Sequence, residues 1–503
     1  MSSPWEVHPY SKETLRDLLA QHSLVSRASL DSKLHCIYFD GYFDNLAAKT
    51  IVVEQGYVDR DFLEDFAAYY VRCFERYERF CTRLHFFDRS FGSSDFKSLL
   101  EGSSSPLDAK AVSESYLGFV VVKRLPRTII GRTCLRTYPS AGRRHYPIIR
   151  QYDVSLFGLK LAVRTLAFQE QDRVAAACAT SALWSAFHGT GILFHHHIPS
   201  PVEITTSASS SAFPGLRYLP SKGLTLMQMA SAIRSVGLEP THVHAGNLDI
   251  VRDTVYAYVR GGIPVMLVGT LSEHPVPAVP QPAELHAIVA TGFSLGGAGG
   301  AAGSPPGFSS ISARIDKVYC HDDQVGPFAR MMVGGPLPIC LSTSWQDTKG
   351  QMGSVWFQPQ DILIPLYHKI RVPFETVQER VIRFNAFLSF WDNLLGGVLG
   401  GAVEWDTRLT TVNEFKTDIQ ASSLPAGPRR LLLERSLPRF IWRATGSQAG
   451  SATLDVLFDA TGLDESDGSI LLYSAKPGVF LVLEQLRGRG AIAGLGTTFE
   501  LIG

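Results

Sequence analysis

The sequence predicts an α+β protein, and three observations carry that reading. At 503 residues the chain is too long for one hydrophobic core and suggests roughly three domains. Beyond about residue 165, helical periodicities come first and short β-rich runs follow them. Between these lies "QEQDRVAAACATSALWSAFHGTG", residues 169–191, where a polar run gives way to an apolar helix that begins on Cys178.

The composition narrows the function classes. Lys+Arg and Asp+Glu balance at 47 each, and 45% of residues are apolar, as in ordinary soluble globular proteins. That balance leaves no basic footprint for nucleic acid, so no nucleic-acid partner is expected. No apolar run approaches the ~20 residues that cross a bilayer; Leu117–Val122 and Leu394–Val403 are short and interrupted. The first residues lack a basic segment followed by an apolar one, so no secretory signal is expected. The seven cysteines are an odd number, scattered and without CxxC. Reduced thiols and a cytoplasmic location are the expectation.

Taken in order, residues 1–150 read as an N-terminal region of mixed helix and β. Phe62, Phe66, Tyr69, Cys73, Tyr77 and Phe80 predict one amphipathic helix over Phe62–Leu84. The polar break "EGSSSPLDAK" precedes two β runs, Tyr116–Lys123 and Thr128–Tyr138. No chemistry-bearing motif stands out there. In residues 160–345, Ala179, Ala182, Leu183 and Ala186 give the Cys178 helix its period, with Gly189 and Gly191 as stop signals. "TTSASSSAFPG" reads as a loop. A helix on Leu226, Met229, Ala230 and Ile233 follows, stopping at Gly237, and another covers Leu248–Arg260. Then come the β runs "IPVMLVG", "HAIVATGF" and "ARIDKVYCHDD". The proline-rich loop Ser272–Glu284 and the glycine-rich loop Ser294–Ser310 divide them. Residues 346–503 read as a C-terminal α+β region, with a helix at Thr376–Leu388 and β runs at Leu454–Phe458 and Val479–Glu484.

The chemistry concentrates in the middle region. A cysteine in the first turn of a helix feels unpaired N–H groups and the positive end of the macrodipole, which favour thiolate. His286 opens a strand, where its ring sits at an exposed end. Asp322 closes a neighbouring run, within reach of that imidazole, and Asp323 and His321 flank it. Gln169 or Gln171 lies upstream of Cys178, where an amide could join the cysteine N–H in an oxyanion hole. The three histidines at 195–197 lack partners at ligand spacing and read as a polar loop. No metal or other cofactor is implied, and Trp184 reads as core.

The order Gln, Cys-helix, "GGIPVMLV", "HAIVATGF", "VYCHDD" resembles papain-like cysteine peptidases, closest to the bacteriocin-leader-processing branch and its stand-alone bacterial relatives. The resemblance covers about residues 165–335. It implies a papain-like core, a helical lobe with Cys178 packed on an antiparallel sheet with His286 and Asp322, flanked by the N- and C-terminal regions. It further implies a Cys178–His286–Asp322 triad that cleaves an amide bond in a peptide or protein substrate. Three departures mark this chain, one being a His-to-Asp loop longer than the family's usual one, the excess lying in the glycine-rich insert. Ala179 follows the cysteine where the family usually has Gly, and Asp172 stands six residues upstream where the family's Gln commonly lies, leaving Gln171 and Gln169 as candidates. Asp322 is expected to accept Nδ1–H of His286, with Asp323 projecting the other way. An acyltransferase or deamidase with the same triad, or a binding scaffold without activity, are the alternative readings.

Overall fold

The strands Cys81–Phe87 and Tyr116–Val122 are buried along their whole length, so the sheet that holds them must be covered on both faces. This sheet has five antiparallel strands in the order Trp5–Pro9, Thr50–Tyr57, Cys81–Phe87, Tyr116–Val122, Ile130–Leu135. The computed structural model describes residues 3–502 except 104–106, 173, 175–176, 210–218, 220–222, 274–284, 298–306, 337–338, 346–352, 398–401, 449–450, 463–468, 475–476 and 489–499. Helix Leu34–Asn45 lays Phe43 on Phe86 with ring centroids 4.0 Å apart. The hairpin Arg150–Leu156 and Leu159–Thr165 is tied to the sheet where Arg83 donates to the Ser155 carbonyl at 2.9 Å.

The chain forms two compact units, each discontinuous in sequence. The first holds Met1–Gly246, Gly262–Phe293 and Lys317–Pro365, so the N-terminal sheet and the Cys178 helix share one unit. The second holds Asn247–Gly261, Ser294–Asp316 and Leu366–Gly503.

Most residues of a second sheet, a ring of strands, belong to the first unit. Val265–Ser272 pairs with Leu285–Leu295, which is followed in space by Ile315–Asp322, Gly326–Val333, Leu341–Ser342 and Trp356–Tyr367. Trp356–Tyr367 then pairs back to Val265–Ser272, closing the ring, and Leu238–His244 adds to its other edge. The closure is tight at Gly269, where a Cβ would lie 1.9 Å from the Gln358 carbonyl oxygen. The register shifts at that point, between Val268 and Gly269.

The helix Cys178–Phe194 is apolar on nearly every side and buried from Ala179 to Gly191. Gly189 and Gly191 do not end it. Added Cβ atoms there would meet Ile148 Cγ2 and Ile198 Cγ1, each at 2.7 Å, so both glycines serve close packing. The helix ends instead at His195 in the left-handed region, φ 58°. The next helix, Pro201–Ser209, takes in the start of the stretch expected to be a loop.

Two further expectations are corrected. Phe62–Leu84 is not one helix. Arg60–Ala68 is helical, a 3-10 turn covers Tyr70–Arg72, and Cys81–Phe87 is a strand. The aromatic stripe that suggested continuity breaks up: Phe62 is buried while Phe80, at its other end, is exposed, and between them the Tyr70 hydroxyl is drawn to Asp172. Val479–Glu484 is not a strand but part of helix Pro477–Gly488. Val479, Leu483 and Leu486 are its buried stripe, and Pro477 sits in the first helical position, where the lost N–H costs nothing.

The second unit is built on Ser309–Ser310, Glu404–Thr411, Phe440–Gln448, Ser451–Asp459, Ser469–Ser474 and Glu500–Ile502, in that order. Phe415, Ile419, Leu432, Ile441 and Leu457 form a core on it. Within it Arg443 makes two bonds to Asp455, at 3.1 and 3.0 Å, and a third to Asp418 at 2.7 Å. Helices Leu248–Arg260 and Phe374–Leu394 agree with the periodicities read from sequence. Among the described residues, no helix is long and apolar enough to cross a membrane.

Two glycine substitutions separate packing from conformational freedom. Gly269→Ala should cost more than about 2 kcal/mol, because the clash is with backbone that cannot move aside. Gly41→Ala, exposed inside helix Leu34–Asn45 with open space for a Cβ, should gain up to about 1 kcal/mol. Urea unfolding of both variants checks the pair.

Candidate functional site

The segment before Cys178 is held by the N-terminal sheet. Thr133 and Phe168 exchange both backbone hydrogen bonds, at 2.7 and 2.9 Å, and Glu170 N–H donates to Ile130 O at 3.1 Å. The Glu170 side chain returns a bond to the Ile130 N–H at 2.9 Å and pairs with Lys33. Asp172 is buried, accepting from the Tyr70 hydroxyl at 2.7 Å and from Val174 N–H at 2.7 Å. So Asp172, six residues before Cys178, is taken up by structural hydrogen bonds. Further along, Trp184 Nε1 donates to Asp61 at 2.9 Å, and Asp61 is paired with Arg132 at 2.7 Å.

Cys178 is the first residue of its helix, and the capping residue, Ala177, offers no side-chain acceptor to the first-turn N–H groups. The thiol is half-buried and lies 3.9 Å from the Leu285 carbonyl oxygen. The adjoining residue, His286, is near enough for the thiol to contribute to raising its imidazole. His286 Nε2 donates to Asp322 Oδ1 at 3.0 Å. The carboxylate therefore meets Nε2, where the sequence expectation had Nδ1.

Asp322 is fully buried and accepts two more bonds, from Trp345 Nε1 at 2.7 Å and from Gln324 N–H at 3.1 Å. The Trp345 ring stands edge-on to the imidazole, 5.5 Å between centroids, and Phe357 packs at 6.3 Å. Burial works against the charged imidazole, but the Asp322 charge and hydrogen bond, with smaller contributions from Cys178 and Asp323, raise His286 well above its ordinary value. Burial pushes Asp322 upward as well, yet the imidazolium and the three donors hold it below the usual carboxylate range.

Asp323 does not project away. The strand register shifts between Cys320 and Asp322, and the chain turns there, Val325 N–H bonding Asp322 O at 2.9 Å, so strand alternation no longer applies. Asp323 Oδ1 lies 3.8 Å from His286 Nε2, and neither carboxyl oxygen has a hydrogen-bond partner among the described residues. Burial, opposed by His286 and reinforced by the Asp322 charge, pushes its carboxyl up to about 7. Its backbone carbonyl accepts from His35 Nε2 at 2.9 Å. His286, Asp322 and Asp323 thus bring possible ligand atoms within 4.8 Å of one another. His321 faces elsewhere, against Phe168 and Phe328, and burial lowers it to about 3.

Of the two glutamines, Gln169 is buried with its Nε2 unpartnered among the described residues, while Gln171 is half-buried. His196 bonds Thr190 and the His197 carbonyl, and His197 lies 3.5 Å from Glu203, a loop network rather than a shared centre. The loops Ser272–Glu284 and Ser294–Ser310 fall largely outside the described residues. Trp345 and Asp61 were missed in the sequence. Their partners lie 23 and 123 residues away, and the only local signal is that a buried indole N–H needs an acceptor.

No family model matches the chain, and no curated protein or solved structure matches it either.

The charge balance predicts a titration. The imidazolium stabilises the folded state below the ordinary histidine value of ~6.5, and that contribution is lost as pH rises through the raised folded value. In nitrogen-detected NMR of 15N-histidine-labelled protein, His286 should remain imidazolium above pH ~7.5. Asp322→Asn should bring its titration down by at least about one pH unit. A wild-type midpoint at or below the ordinary value would contradict the arrangement.

Proposed function

We propose that the chain is a cysteine-dependent hydrolase, a peptidase that cleaves an amide bond in a peptide or protein through Cys178, His286 and Asp322. The observation that carries this reading is the junction of a helix-first thiol with an imidazole whose far nitrogen is held by a buried carboxylate. Each partner comes from a different element of one unit.

In this mechanism His286 Nδ1 takes the proton of the Cys178 thiol, and Asp322 stabilises the imidazolium that results. The thiolate attacks the substrate carbonyl, and the oxyanion that forms is met by the Cys178 N–H and a side-chain amide. Gln169 is the better candidate for that amide, since a buried donor without a partner is already desolvated. His286 then gives its proton to the leaving amine as the C–N bond breaks. Water, activated by the same imidazole, attacks the thioester and frees the thiol. Transfer of the acyl group to an amine, or deamidation of glutamine, would use the same steps with another nucleophile or substrate. An inactive scaffold would not require the buried charges of Asp322 and His286.

Site-resolved alkylation with iodoacetamide at neutral pH tests the nucleophile. Cys178 should react ahead of the other six cysteines, and His286→Ala should slow it by at least about 10²-fold. Single-turnover acylation by a peptide thioester tests the remainder. Cys178→Ala should abolish it. Asp322→Asn should lower it more than it lowers the melting temperature, with Asp323→Asn the milder change. Gln169→Ala should cost about 10²-fold and Gln171→Ala little. An unreactive Cys178 in folded protein would end the proposal.

A further inference from the structure

The reaction proposed above uses His286 and Asp322 and leaves the carboxyl beside them without a task. His286, Asp322 and Asp323 bring one nitrogen and two carboxylate oxygens within 4.8 Å of one another. His286 Nε2 lies 3.0 Å from Asp322 Oδ1 and 3.8 Å from Asp323 Oδ1. Asp323 is 4% exposed, and neither of its carboxyl oxygens has a hydrogen-bond partner among the described residues. A buried carboxyl without a donor is costly, and this one is aimed at the nitrogen that Asp322 already holds. The surroundings fix both acids: Trp345 Nε1 and Gln324 N–H donate to Asp322 at 2.7 and 3.1 Å, and His35 Nε2 lies 2.9 Å from the Asp323 carbonyl oxygen. Leu285, next to His286, is 60% exposed, so solvent reaches the edge of the cluster.

We propose that His286, Asp322 and Asp323 form a site for a divalent transition-metal ion of the zinc class, and that the bound ion shuts off the thiol chemistry of Cys178. The site itself is independent of the hydrolase reading; the effect on the thiol rests on it. Two carboxylates and a neutral imidazole carry two negative charges, which one divalent ion cancels, as a buried group requires. Zinc accepts imidazole nitrogen and carboxylate oxygen together. Calcium takes roughly six to eight oxygens and magnesium keeps several waters, which a buried set of three ligands does not provide. Ligands bonded at about 2.0–2.1 Å around a tetrahedral ion sit roughly 3.3 Å apart. The 3.0 Å pair would open and the 3.8 Å pair close toward that spacing. An ion on Nε2 takes that nitrogen's lone pair and leaves the ring's one proton on Nδ1. The imidazole then has no free lone pair with which to take the thiol proton.

The test is calorimetric titration of zinc into the full chain carrying Cys178→Ser, which removes the neighbouring thiol as a competing ligand. Zinc should bind at one site, and calcium and magnesium should not bind there. Asp323→Asn, which keeps the side-chain shape, and His286→Ala should each weaken zinc by at least about tenfold. Thermal melts without metal separate lost binding from lost folding. In the chain with its thiol intact, saturating zinc should slow iodoacetamide labelling of Cys178 by at least about tenfold, and Asp323→Asn should remove that protection. Absence of zinc binding by the Cys178→Ser chain overturns the proposal, as does binding at full strength in Asp323→Asn. Protection that persists in Asp323→Asn overturns it too, by placing the ion on the thiol itself. A Cys178 that labels no faster than the other thiols without metal would sink the hydrolase reading and leave the calorimetric result to decide the site.

Discussion

Asp322 is the constraint from which the arrangement follows. A carboxylate with no exposed surface is tolerated only when hydrogen-bonded and balanced by charge. It is met by the His286 imidazole, the Trp345 indole and the Gln324 backbone N–H. Each donor fixes a piece of chain: the start of the His286 strand, the segment after Leu341–Ser342, and the turn after Ile315–Asp322. Because Asp322 takes Nε2, the orientation of the ring is set and Nδ1 faces away from the carboxylate. The edge-on indole and Phe357 keep water from the charged pair and strengthen it.

The N-terminal sheet, which shows no chemical motif of its own, supplies the other half of the geometry. A helix that is apolar on nearly all sides has no stripe to set its rotation, so polar anchors set it instead. Trp184 does this from inside the helix through Asp61 and Arg132. Asp172 does it from the entering turn through Tyr70. The pairing of Phe168 with Thr133 fixes how far the preceding segment travels before the turn. The place of Cys178 opposite His286 thus depends on residues more than 100 positions upstream.

What the sequence disclosed divides along physical lines. Periodicity found the helices at Cys178 and Leu248–Arg260 and the strand of His286, because each buries a face with a regular repeat. It misread Phe62–Leu84, where an aromatic spacing suited to a helix was overruled by Tyr70 reaching Asp172 and by a strand buried on both faces. It misread Val479–Glu484, since a short apolar run fits either period. Gly189 and Gly191 looked like stop signals because sequence does not distinguish a glycine that ends a helix from one that lets another chain approach. At the candidate site, the meeting of His286 with Asp322 was legible and orientations were not. Alternation along a strand sent Asp323 away from the imidazole, and only the register shift at Cys320 brings it back.

That return sets the electrostatics of the cluster. Two carboxyls beside one imidazolium cannot both ionise at low cost when all three are buried. Asp322 has three donors and keeps its charge; Asp323 has none among the described residues and is pushed up to about 7. The two therefore pull stability in opposite directions with pH. The depressed Asp322 contributes above the ordinary carboxylate value of ~3.9, and that contribution fades as pH falls through its folded value. The raised Asp323 favours the folded state below ~3.9 and weakens it as pH rises toward about 7. His286 adds to the same loss at higher pH, once its raised folded value is passed. Between those limits a neutral Asp323 leaves the imidazolium with one full counter-charge, the Asp322 carboxylate at Nε2. The second carboxyl thus sets the charge of the cluster: once ionised, it would give the imidazolium a second counter-charge 3.8 Å from Nε2.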